Sequence, residues 1–329
     1  MAGAVIFGLS GPELTADEAA FFADADPWGF ILFARNIQAP DEVRRLTGDL
    51  RASVGRDAPI LIDQEGGRVQ RMGPPHWRAW EPVRDVCDAA LDETSLMAEL
   101  TARYAAIADE LLDVGIDVDC VPVLDVPQPN AHPIIGDRAF GRTPAEVALR
   151  GREAAAALLS RGVLPVIKHV PGHGRALHDS HEDLPRVRAS LDELRAIDLP
   201  PFRALRDMPL AMTAHVVYEA IDPDNCATLS STVIRMIREE LGFDGALMTD
   251  DLSMKALSGP MTARVTGALA AGCDLILHCN GLMSEMRDIA GATAPLAGAA
   301  LGRADRALAC RGARSDVVTL SAPREVSNG

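Results

Sequence analysis

The sequence predicts a single (β/α)8 barrel of the TIM type, on three observations. Eight short apolar runs are spread along the 329 residues. Each is nearly continuous, as a strand buried on both faces of a parallel sheet must be. Segments with apolar residues at helical spacing separate them, and eight strands alternating with helices over this length favour a closed barrel. No Pro/Gly/Ser-rich linker and no internal repeat divides the chain. An open doubly wound sheet is the alternative, but the first run lacks the Gly-x-Gly-x-x-Gly that a dinucleotide fold places there.

The elements follow in order. Strand Ala4–Gly8 leads to helix Thr15–Ala25, which opens on Thr-x-Asp-Glu, a helix-start signal. Strand Gly29–Phe33 is followed by helix Pro40–Ser53, and strand Pro59–Asp63 by helix Ser95–Val114. Strand Asp117–Leu124 precedes helix Pro144–Arg161, and Leu164–His169 precedes Leu191–Arg206. Strand Leu210–His215 leads to helix Ser230–Leu241, where Val233, Ile234, Ile237 and Leu241 share one face and Gly242 is the stop. Strand Gly245–Asp250, helix Thr262–Ala271, strand Asp274–His278 and a helix over Ser284–Ala309 complete the series. The expected domain runs from 1 to 320, with a flexible tail over 321–329.

The net charge of −15 and the pI near 4.9 disfavour nucleic acid, which needs a basic face, and an anionic membrane surface. The six cysteines form no CxxC pair, and several sit in apolar runs. Buried free thiols in a reducing cytoplasm are therefore expected. The N-terminus has no basic region before Arg35, and its apolar run breaks at Ser10, Gly11 and Pro12. Neither a signal peptide nor a membrane span is read there. A cytoplasmic monomer is expected.

Barrel enzymes carry their chemistry where strands end. Here the third strand ends in Ile62-Asp-Gln-Glu-Gly-Gly-Arg-Val-Gln-Arg71, the fourth at Asp125, the fifth in Lys168-His-Val-Pro-Gly-His-Gly174, the sixth at His215 and the seventh in Asp250-Asp251. Ending an apolar run in a charge is costly unless the group meets solvent, a partner or a ligand. Five such endings on one rim point to an active site. Lys168 is one of only two lysines, with Lys255. It is either half of a buried ion pair or a point-charge donor to a bound oxygen. Asp250 and Asp251, as strand neighbours, should face opposite ways. Four of the eight histidines fall between 169 and 181. A metal-dependent barrel hydrolase could be built on them, although neither a His-x-His nor a His-Glu-x-x-His motif is present. In Asp179-Ser-His181 the carboxylate can instead orient the imidazole and favour its charged form, a pair suited to moving protons near neutral pH.

Three of these motifs, with Thr249-Asp-Asp-Leu-Ser-Met254 in place of the bare Asp pair, and with His178-Asp-Ser-His181 following the lysine motif, occur in the order found in bacterial β-N-acetylglucosaminidases of glycoside hydrolase family 3. The chain resembles the single-domain, cell-wall-recycling type from its first strand to about residue 310. The resemblance implies a retaining exo-glycosidase with a covalent glycosyl-enzyme intermediate, acting on soluble GlcNAc–anhydromuramic fragments with or without peptide. It implies Asp250 as nucleophile, His181 paired with Asp179 as acid/base, and Asp63, Arg71, Arg138, Lys168 and His169 as sugar-binding residues. No cofactor or metal is expected. Most retaining enzymes use two carboxyls, so the histidine is a departure shared with this branch. The rivals are a family 3 β-glucosidase or β-xylosidase and a phosphorolytic glycosidase. The connection at about 172–182 is long for a βα loop. It is expected to act as a lid, with Gly172 and Gly174 as hinges.

Overall fold

The computed structural model describes residues 1–178 and 184–312. The expected tail, Asp179 and His181 lie outside the described residues. All eight apolar runs become strands of one closed parallel barrel: β1 (Gly3–Phe7), β2 (Pro27–Leu32), β3 (Ile60–Ile62), β4 (Val118–Asp119), β5 (Leu164–Val170), β6 (Leu210–Thr213), β7 (Ala246–Asp251) and β8 (Leu275–His278). Each pairs with its neighbours in sequence, and β8 closes on β1 through Val5, Ile6 and Phe7. Every residue of β2, β5, β6 and β8 is buried, which is why their sequences are continuous rather than alternating.

The surrounding helices are α1 (Ala16–Ala25), α2 (Pro40–Val54), α3 (Glu93–Asp113), α4 (Pro144–Arg161), α5 (Leu199–Ala204), α6 (Ser231–Glu239), α7 (Met261–Ala271), α8 (Met283–Ala292) and α9 (Gly298–Ala309). The π-helical turn Leu194–Asp198 runs directly into α5, so the expected helix over 191–206 exists but is widened near its start. Local chemistry sets the boundaries. Thr15 accepts from the Glu18 N–H while the Glu18 carboxylate accepts from the Thr15 N–H, a reciprocal cap that opens α1. Ser230 caps α6 by accepting from Val233 N–H. Gly162 ends α4 at φ +89°, a backbone that residues with side chains rarely adopt.

Two expectations change. The closing helix is two helices, because Pro295 lies in the middle of the expected span and bars helical geometry before it. The break is used: Ala4 N–H donates to Ala294 O at 3.2 Å and Leu296 N–H to Ala2 O at 2.8 Å, adding a short edge to the start of β1. The fourth strand is only Val118–Asp119, since Pro122 has no N–H for the ladder, and pairing resumes at a bridge from Val123 to Lys168. Among the described residues, no helix is long and apolar enough to cross a membrane.

Candidate active site

The ends of the strands open into a cleft of roughly 450 Å³ lined by Asp63, Arg71, Arg138, Lys168, His169 and Asp250, among others. That is the size range of small-ligand pockets. Six of the eight expected site residues therefore share one cavity. Asp179 and His181 are outside the described residues.

The residue after Asp63 organises the near wall. The Gln64 carboxamide oxygen accepts from the N–H groups of Arg71 and Met72 at 3.0 and 3.1 Å, and its NH2 donates to Met72 O at 2.8 Å. This folds the chain back so that Arg71 donates to Asp63 at 3.1 Å. From β5, the Lys168 ammonium reaches both Asp63 at 2.8 Å and Glu65 at 2.7 Å. Arg138, on a turn after β4, grips Glu65 with two bonds of 2.8 Å. The order is Arg71, Asp63, Lys168, Glu65, Arg138, with charges alternating throughout. Burial alone would raise the Asp63 carboxyl, but Lys168 and Arg71 outweigh it and hold it well below the usual range. Burial is likewise outweighed at Glu65 by Arg138 and Lys168, which bring it to about 2. The same carboxylates hold the Lys168 ammonium in its charged form against the cost of burial. Lys168 is thus an ion-paired residue that also faces the cleft. Arg71 and Arg138 are clamps on acids as well as lining groups.

A second layer lies beneath. Asp125 is fully buried, with one oxygen 2.7 Å from His169 Nδ1 and the other accepting the His173 N–H at 2.6 Å. The imidazole of His169 is therefore oriented by a carboxylate. Asp119 is also fully buried. It accepts the Gln64 N–H at 2.9 Å, and burial pushes its carboxyl up to about 8. On the far wall, His215 is fully buried, its ring bound to Thr228 Oγ1 at 2.7 Å and to the Asp251 carbonyl at 3.0 Å. Burial lowers its pKa, and burial also brings His173 down to about 4.

Asp250 and Asp251 do not split cleanly between two faces. The pairing of β7 with β8 shifts register between Met248 and Asp251, and both aspartates line the cleft. Such an irregularity re-aims side chains that a regular strand would send apart. Their partners differ. Asp251 accepts from Ser253 N–H, Ser253 Oγ and Cys279 N–H at 3.0, 2.6 and 3.1 Å. One oxygen of Asp250 accepts the Asp251 N–H at 2.8 Å.

Of the histidines expected as a cluster, the three described ones do not form one group. His169 and His173 pack with ring centres 5.8 Å apart in the cleft, whereas His178 lines a separate cavity. Among the described residues no group of three or more His, Cys, Asp or Glu is arranged to hold a metal. The expected lid runs into residues outside the described ones, and its two expected hinge glycines are closely packed. A Cβ on Gly174 would collide with the Val126 carbonyl, and Gly172, at φ +136°, lies against Asp198 while its carbonyl accepts from Tyr218 OH at 2.7 Å. Glu65 was not anticipated. Its only sequence signal is its place in the third-strand motif, and its partners Arg138 and Lys168 lie far along the chain.

Residues 9–299 match the glycosyl hydrolase family 3 N-terminal domain. The chain is 42% identical over 279 residues to a beta-hexosaminidase from Methylococcus capsulatus, covering 84% of this chain and 82% of that protein. Among solved structures, it is similar to NagZ from Neisseria gonorrhoeae in complex with N-trifluoroacetyl-D-glucosamine, with 32% identity, a TM-score of 0.84, and coverage of 93% and 90% of the two chains. It is also similar to a glycoside hydrolase family 3 beta-N-acetylglucosaminidase from Paenibacillus sp., with 31% identity and a TM-score of 0.84. There it covers 97% of this chain but only 64% of that one, so it spans less than two thirds of the Paenibacillus protein.

Proposed function

The chain belongs to glycosyl hydrolase family 3, and from that premise we propose that it is a retaining exo-β-N-acetylglucosaminidase acting on soluble peptidoglycan fragments. The observation that carries the reading is the convergence of Asp250 with Asp63, Arg71, Arg138, Lys168 and His169 on one cleft. Ionised Asp63 accepts from sugar hydroxyls, and the neighbouring cations and the Asp125-oriented His169 donate to sugar oxygens. Asp250 attacks the anomeric carbon as the bond to the leaving oxygen breaks, giving a glycosyl ester. His181, oriented by Asp179, gives its proton to that oxygen. It then takes one from the water that attacks the ester, and free Asp250 is restored. GlcNAc–anhydromuramic compounds, with or without peptide, fit a cytoplasmic enzyme that meets recycled fragments. No step in this scheme needs a cofactor or metal, so activity should survive treatment with a chelator.

The decisive experiment sets para-nitrophenyl β-GlcNAc beside its β-glucoside. Hydrolysis of the first alone is expected, and preference for the glucoside would move the chain to the glucosidase branch. Asp250→Ala should lower kcat by about 10³-fold or more, because the covalent path is lost. A 2- or 5-fluoro glycoside should label Asp250, and a label on Asp251 would overturn the nucleophile assignment.

A further inference from the structure

Arg35 follows β2 at the rim of the cleft and is exposed. The other arginines lining the cleft each meet a carboxylate: Arg68 with Asp137 at 3.0 Å, Arg71 with Asp63 at 3.1 Å and Arg138 with Glu65 at 2.8 Å. Among the described residues no carboxylate lies within ion-pair distance of Arg35. Its guanidinium is held instead by neutral acceptors. Nε donates to the Leu9 carbonyl at 2.7 Å, and one terminal nitrogen donates to the carbonyl of Cys279. These carbonyls follow β1 and β8, so three loops fix the cation in place.

Two further contacts define how this cation is held at the cleft. The Arg35 guanidinium lies 5.0 Å from the centre of the Phe33 ring, and that of Arg71 lies 5.2 Å from the same ring. Two guanidiniums thus share one aromatic ring, and of the two Arg71 is the one paired with a carboxylate, Asp63. The backbone also makes room. A side chain at Gly8 would collide with the Cys279 carbonyl and stand 3.2 Å from the Arg35 guanidinium. Asp251, the last residue of β7, is linked to Arg35 through the Cys279 peptide: its carboxylate accepts the Cys279 N–H while Arg35 donates to the Cys279 carbonyl.

We propose that Arg35 is a specificity residue that binds a carboxylate carried by the leaving group of the β-GlcNAc glycoside. This inference rests on the hexosaminidase reading above and names the chemistry of the group beyond the scissile bond. A chain with a net charge of −15 repels acidic substrates at long range. A fixed cation at the mouth of the cleft offsets that repulsion locally and selects leaving groups that bring an anion. Its guanidinium has a remaining nitrogen to donate, and a carboxylate is the planar acceptor that suits it.

The test uses two disaccharides, GlcNAc β-linked to a muramic-type sugar with a free lactyl carboxylate and the same compound as its carboxamide. The departing oxygen is the same in both, so their ratio of kcat/KM reads the charge alone. The unaltered protein should prefer the acid, and the preference should shrink as salt is added. Arg35→Met should reduce the acid-to-amide ratio about tenfold, the loss expected for one partly exposed charge-assisted hydrogen bond. Arg35→Lys should restore part of it. An equal loss on both substrates would overturn the proposal and leave Arg35 as a strut for Cys279. A third arm adds inorganic phosphate with the amide. If Arg35→Met abolished GlcNAc-1-phosphate formation while leaving the ratio intact, the anion would be an incoming phosphate and the proposal would fall. If the unaltered protein cleaved neither disaccharide nor para-nitrophenyl β-GlcNAc, the hexosaminidase reading itself would fail, an outcome distinct from the others.

Discussion

A lysine only 2% exposed keeps its charge inside a protein only if that charge is answered. Lys168 is answered twice, by Asp63 and Glu65, and each of those acids is in turn held by an arginine. Because the groups are coupled, removing one exposes the others. Glu65→Gln leaves Arg138, whose side chain is 9% exposed, facing a neutral amide. It should destabilise the protein by about 3–5 kcal/mol in urea unfolding. The contrast is Arg68→Met, which breaks a pair whose side chains are 41% and 39% exposed. It should cost less than about 1 kcal/mol. Comparable losses for the two would mean that the interior row contributes no more than a surface pair. Sequence reading found most members of the row, because Asp63, Arg71 and Lys168 fall in dense polar motifs at strand ends. Glu65 escaped it because its importance comes from Arg138, 73 residues away, and no local pattern encodes that meeting.

At the scale of elements, the strands were legible because burial on both faces leaves a short apolar run, too short for a buried helix and bounded by turn residues. Their ends were less so. Where the run continued past a proline, as at Pro122, composition said strand while the missing N–H said otherwise. The closing helix misled in the same way: an alanine-rich stretch around Pro295 keeps helical spacing on both sides of a break. Asp250 and Asp251 were misjudged because strand periodicity assumes a regular ladder, and β7 shifts register there. Helix starts were more reliable, since a cap is a local device. At α1, Glu18 is 3% exposed and accepts from both Thr15 and Ser10. Thr15→Ala should cost about 1 kcal/mol of stability while leaving kcat/KM on an aryl β-GlcNAc unchanged, since Thr15 does not line the cleft. A large loss of activity would show that α1 positions the site more directly than its contacts suggest.

Over the whole molecule, buried carboxyls pull the pH dependence of stability in two directions. Glu65, at about 2, Asp63 and Asp125 have depressed pKa values in the folded chain. Their contribution is present above the ordinary carboxylate range and is lost as pH falls through the folded values, so they predict acid unfolding below about pH 4. Asp198, raised to about 6, and Asp119, raised to about 8, act oppositely, burial being the main cause for both. Between the unfolded value and the folded one, the native state holds a proton that the unfolded chain has released, so stability falls as pH rises. For Asp119 that window runs from about pH 4 to about 8. Asparagine cannot titrate, and its amide oxygen can still accept the Gln64 N–H that Asp119 accepts. Asp119→Asn should therefore gain on the parent protein as pH rises, by at most about 1.4 kcal/mol per pH unit. Urea midpoints at pH 5, 7 and 9 should show the two curves diverging up to about pH 8 and running parallel above it. Parallel curves throughout would mean that Asp119 is already ionised in the folded protein at pH 5. It would then be a third anion beside Lys168, and the row of charges would need a different balance.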